Sequence, residues 1–133
     1  MLKARIGKEI VVKVRNEIGI LAQITKLIAE KGINVLAVAG WVEGENGIIH
    51  LVTEDNLRVV DVLRQKNFNP REAEVVLTEV AHKPGMLRHI AETLAKDGID
   101  IHHLYASNAT DVTHSLLVFA CANNDRAVVL LNG

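Results

Sequence analysis

Residues 82–101 read HKPGMLRHIAETLAKDGIDI, and residues 16–35 read NEIGILAQITKLIAEKGINV. Gly19 and Gly85 stand 66 residues apart, and so do Gly32 and Gly98. Both stretches follow one plan: a polar residue, a glycine three positions on, a helical pattern, a second glycine and the start of an apolar run. In the first, Ile20, Leu21, Ile24, Leu27 and Ile28 fall on one helical face; in the second, Met86, Leu87, Ile90 and Leu94 do so. Gly32 and Gly98 follow the last inward residues, where a left-handed residue closes a helix at low cost. The chain writes the same loop, helix and strand start twice, and changes the polar residues at the loop.

Working outward, KEIVVKVR precedes the first loop as a valine-rich strand. INVLAVAGW and IIHLVTE follow the first helix as a hairpin around VEGENG, and NLRVVDVLRQK reads as a second helix capped by Asp55 or Asn56. NFNPREAEVV is extended. The second copy repeats this with AEVVLTEV, IDIHHLYAS, a turn at NATD, HSLLVFACA and a last helix, NDRAVVLLN. The fold class is α+β: two ferredoxin-like βαββαβ modules in tandem, residues 1–70 and 71–133. The second copy ends at LLNG with no residues left for its fourth strand. That leaves an open edge along residues 75–81, to be covered by residues 2–6 or by a second chain. Alternation along the strands predicts that Leu36, Val38 and Leu104 face away from the helices. An open edge and an apolar open face together predict a homodimer or larger assembly.

Composition removes several classes of function. With 133 residues at 49% hydrophobic, the chain can bury a core. Fifteen lysines and arginines against 16 acids give a net charge of -1, so nothing attracts nucleic acid or an anionic membrane. Aromatics at 3% leave no base-stacking surface. A single cysteine, Cys121, fits a reducing compartment. MLKARIGKEI has no signal-peptide core, and LLVFACA is too short to cross a bilayer. These features predict a soluble, cytoplasmic protein with neither a nucleic-acid nor a membrane partner.

Catalytic and metal chemistry find little support. The histidines at 50, 82, 89, 102, 103 and 114 form no HExxH or other dense ligand pair. A loose metal site from His82, His89 and one strand histidine is the less favoured reading, against scattered surface or half-buried histidines. Cys121 reads as a packed small hydrophobe, and Ser115 lies mid-strand without a nucleophile elbow. Glu72 and Glu74 read as solvated surface. No catalytic residue, metal ligand or cofactor is expected.

The repeated loop is the informative place. A helix N-terminus offers unpaired N–H groups and partial positive charge, and glycine lets an anion approach the main chain. Asn16 or His82 can add a side-chain hydrogen bond, and Asn34 or Asp100 can accept from an ammonium group. With Ile18, Ile20, Val35, Met86 and Ile101 around them, these groups describe a receptor for a small free amino acid. An equal reading is that Gly19 and Gly85 only permit a tight turn and that Asn16 only caps a helix.

Both halves, through VVKVRNEIGILAQITKLIAEKGINV and VVLTEVAHKPGMLRHIAETLAKDGIDIHHLYAS, resemble ACT domains, the small modules that bind amino acids in metabolic regulation. The marks are a strand followed by [polar]xxGxL, the helix, and then G-I-[ND]-[IV]. The resemblance implies a ligand site formed by Asn16, Gly19, Ile20 and Leu21, and a second formed by His82, Gly85, Met86 and Leu87. It places Asn34 and Asp100 at a seam where second strands pair side by side, here residues 35–41 with Ile101–Ser107. Ile18 stands where a proline often precedes the glycine, and His82 and Asp100 replace more usual residues, so the two sites are not equivalent. The implied function is non-enzymatic: sensing a small aliphatic amino acid and modulating a metabolic enzyme or transcription regulator. The alternatives are a ligand-free ACT-type interaction module, or a metal-responsive domain using its histidines.

Overall fold

The computed structural model of the chain describes residues 2–107 and 113–133. In chain order the elements are β1 (Leu2–Arg15), α1 (Ile20–Ala29), β2 (Val35–Glu43), β3 (Asn46–Thr53), α2 (Asn56–Gln65), β4 (Pro70–Ala81), α3 (Met86–Lys96), β5 (Ile101–Ser107), β6 (His114–Cys121) and α4 (Asn124–Asn132). They make two compact units: a first of residues 8–73, and a second of residues 2–7 with 74–133. The turn expected at residues 108–111 lies outside the described residues.

In the first unit β3 pairs antiparallel with β1 on one side and β2 on the other, Val12 lying opposite Ile49 and Val38 opposite Leu51. Ile10, Val12 and Val14 alternate onto one face and meet Ile24 and Ile28 of α1 and Val59 and Leu63 of α2 in a single core. In the second unit β6 lies between β4 and β5, also antiparallel, Thr78 opposite Leu117 and Leu104 opposite Phe119. Phe119, Ile90 and Leu94 are fully buried at its centre. Each module is therefore α+β with an antiparallel sheet and two helices.

The duplication reaches individual hydrogen bonds. Asp55 caps α2 by accepting from the Arg58 N–H at 3.2 Å, and Asn123 caps α4 by accepting from the Arg126 N–H at 3.0 Å. The next residue does a second job in both copies. The Asn56 amide accepts from the Thr53 N–H and donates to the Lys8 carbonyl, both at 3.0 Å. The Asn124 amide accepts from the Cys121 N–H at 3.0 Å and donates to the Glu74 carbonyl at 3.5 Å. Each asparagine ties the start of a helix to the start of its module's first strand.

Three findings bear on the sequence reading, the first and third revising it and the second bearing out the expected cover by residues 2–6. The first concerns the seam. β2 has β3 as its hydrogen-bonded partner and β5 has β6, and the two are not paired with each other in the chain. β1 and β4 are 14 and 12 residues long, and each contributes to both units. Residues 70–73 of β4 belong to the first unit and residues 2–7 of β1 to the second, so β2 and β5 remain edge strands. The second concerns the missing strand: residues 2–7 take its place. Ala4 is buried in the second unit's core, and its N–H and carbonyl each bond the Asn132 side chain at 2.8 Å. The third concerns facing. Val38 lies opposite Leu51 and Leu104 opposite Phe119, which puts both on the helix-facing side. A register shift between Val35 and Ala37, repeated between Ile101 and His103, moves the alternation by one residue and leaves Leu36 inside the irregularity.

Candidate functional site

Gly19 and Gly85 are the N-caps of α1 and α3, with φ of 89° and 90°. A side chain beyond Cβ is strained in that left-handed conformation, so the loop requires glycine for its backbone alone. An added Cβ would meet nothing within 4 Å at either glycine, so the main chain there is open to approach. Each loop is anchored alike: the Asn16 N–H donates to the Glu45 carbonyl, and the His82 N–H to the Thr113 carbonyl, both at 2.8 Å. The helices then begin at the glycines, whose carbonyls accept from the Gln23 and His89 N–H groups.

Beside each loop lies an open cavity, about 330 Å³ in the first unit and about 420 Å³ in the second. Both fall at the small end of the range for ligand pockets. Their linings correspond position by position. Val14, Asn16, Ile20, Leu21, Gly40, Gly47 and Ile49 line the first; Val80, His82, Met86, Leu87, Ala106, Ser115 and Leu117 hold the equivalent places in the second. The first also has Val38, Trp41 and Val42 of the β2 edge, and the second has Lys83 and Pro84 of its loop. The polar ends differ. In the first, a Cβ at Gly47 would lie 3.9 Å from the Asn16 side-chain oxygen, with nothing polar at that position. In the second, buried Ser115 brings Oγ within 3.3 Å of His82 Nδ1.

Of the residues proposed from sequence, Asn16, Ile20, Leu21, His82, Met86 and Leu87 come together in these cavities. Gly19 and Gly85 set the loops beside them without lining them. Asn34 and Asp100 stand at the far end of their strands. The Asn34 N–H donates to Glu54 Oε1 and its carbonyl accepts from the Glu54 N–H; the Asp100 carbonyl accepts from the Ala122 N–H. Along β3 the Asn46 end adjoins the glycine loop and the Thr53 end adjoins Asn34, a separation of roughly 23 Å at strand rise. Within one unit the ammonium acceptor and the glycine loop are therefore apart. Sequence reasoning did not identify Val38–Val42, Ala106 or Ser115 as lining. Ser115 carried a signal, a hydroxyl inside the apolar run HSLLVFAC.

Other reactive groups are occupied structurally. Burial pushes the Cys121 thiol up, outweighing the opposing hydrogen bond at Asn123, so it is a poor thiolate. His50 pairs with buried Glu9 at 2.9 Å and stacks on Trp41 at 5.0 Å. His82, His89 and a strand histidine form no group of three within ligand-sharing distance among the described residues.

A family model described as an ACT domain pair matches residues 6–133. The chain belongs to the ACT domain pair family. ACT domains bind amino acids, regulate enzymes and oligomerise, and no catalytic family is indicated. Similar solved structures carry the same fold at low sequence identity. The crystal structure of protein BT0572 from Bacteroides thetaiotaomicron superimposes with a TM-score of 0.87 at 22% identity, covering 97% of this chain and 88% of that one. The ligand-free regulatory subunit of aspartate kinase from Thermus thermophilus gives 0.67 at 13% identity, covering 97% and 94%. The regulatory subunit of aspartate kinase from Thermus flavus gives 0.61 at 14%, covering 98% and 94%. No match is found among curated proteins. Among the described residues no helix is long and apolar enough to cross a membrane.

Proposed function

We propose that this ACT domain pair is a non-enzymatic, cytoplasmic regulatory protein that binds small amino acids beside its two glycine loops, an aliphatic one at the first. It would pass occupancy to a metabolic enzyme or transcription regulator through differential binding of its two states. The observation that carries this reading is the repeated cavity. Two pockets with matching linings, each beside a left-handed glycine at a helix N-terminus, offer backbone N–H groups to a carboxylate and an aliphatic wall to a side chain. The fold shared with proteins described as aspartate kinase regulatory subunits supports a role in amino-acid metabolism.

The edges of β2 and β5 are the natural place for a second copy. Exposed Val38, Trp41 and Val42 give the β2 edge apolar surface to bury. Antiparallel addition of a partner's edge strand would bring that copy's Asn34 or Asp100 toward the glycine loop, so the ammonium acceptor would come from the other chain. The same apolar edge favours a second reading, an ACT-type interaction module without ligand. Thermal unfolding with each of the twenty amino acids separates the two. A binder at a hundred times its Kd adds about 2.7 kcal/mol to the native state and raises Tm. The proposal expects at least one small aliphatic amino acid to raise it; an unchanged Tm with all twenty supports the interaction module.

A further inference from the structure

The two pockets share a lining plan but differ in charge. Asn16 is the polar side chain near the mouth of the first, and among the described residues no ionisable side chain lines that cavity. His82 and Lys83 line the second, and among the described residues no carboxylate does. Where the first has Gly47, the second has the Ser115 hydroxyl, 3.3 Å from His82 Nδ1. That contact orients the imidazole and leaves Nε2 as the nitrogen for a ligand. Neighbouring charges are engaged with one another. Arg88 of α3 pairs with Glu92 at 2.7 Å, Glu79 of β4 pairs with Arg5 at 3.2 Å, and His114 of β6 contacts the Thr113 hydroxyl at 2.9 Å. His89 and Lys96 are the further basic residues of α3, which has no acidic residue besides Glu92. The pocket mouth thus presents the Lys83 ammonium beside the His82 imidazole.

We propose that the second pocket selects an acidic amino acid through His82 and Lys83, while the first takes an uncharged aliphatic one through Asn16. This rests on the amino-acid-binding reading and assigns a different ligand charge to each pocket. An acidic side chain at that mouth would meet the Lys83 ammonium and the His82 imidazole N–H, from which an amide of the same shape gains less. The first pocket has no such pair.

The test titrates L-leucine, L-aspartate and isosteric L-asparagine into the ¹⁵N-labelled full chain. Amides of Leu21 and Val38 report the first pocket, and those of His82 and Leu87 the second. L-Aspartate should bind the second pocket about fivefold tighter than L-asparagine. His82→Asn should lower that ratio while leaving L-leucine affinity at the first pocket unchanged. Equal affinity for L-aspartate and L-asparagine would overturn the charge assignment while L-leucine binding left the wider reading standing. Failure of all three to perturb either loop would remove the amino-acid reading, and the assignment with it.

Discussion

Deleting residues 2–7 is expected to destabilise the second unit by about 2–4 kcal/mol, summing two lost amide hydrogen bonds and the apolar area of Leu2 and Ala4. Ala4 is 5% exposed, Leu2 packs against the same core, and Asn132 bonds both main-chain groups of Ala4. Without this segment the Asn132 amide loses its partners and β4 has a bare edge beside Val76 and Val80. The Arg5–Glu79 pair lost with it is solvent-exposed and adds little. Urea unfolding followed by Phe119-region amide signals would read the change directly. An unaltered midpoint would mean that residues 2–7 are ornamental.

Gly19→Val and Gly85→Val should each abolish amino-acid binding at their own pocket. Both glycines hold φ near 90°, where a β-branched residue costs roughly 1–3 kcal/mol, so the loop is driven to another conformation. The open space around each position means that the cost is set by the backbone and not by collision with a neighbour. Gly19→Asn and Gly85→Asn are the matched controls, because asparagine tolerates the left-handed region at smaller cost and keeps the loop. Calorimetry should show binding lost in the valine variants, with circular dichroism reporting whether the helices persist. Unchanged affinity in both valine variants would move the ligand site away from the loops.

The duplication was readable because glycines and helical periodicity are local signals, and both survive at a spacing of 66 residues. So was the correspondence of Asn16 with His82 and of Ile20 with Met86. What sequence did not reveal is non-local or one residue wide. The exchange of residues 2–7 and 70–73 between the units has no local mark, since an extended segment reads the same whichever strand it pairs with. The irregularity after Val35 skips one residue and reverses the face of Val38, and alternation alone does not report a bulge. Sequence groups Asn34 and Asp100 with the loops as ammonium acceptors, whereas strand rise puts them at the other end of the sheet in their own unit. Ser115 required alignment of the second hairpin against the first, which sets it at the place of Gly47 and next to His82.

Chemical-shift mapping of the full chain with saturating L-leucine tests amino-acid binding at the repeated loops most directly. The largest amide shifts should gather at residues 16–21 and 38–42, around Asn16, Ile20 and Leu21, with weaker or absent changes at the second loop. Shifts confined to residues remote from both glycine loops, or no shifts at all, would contradict it.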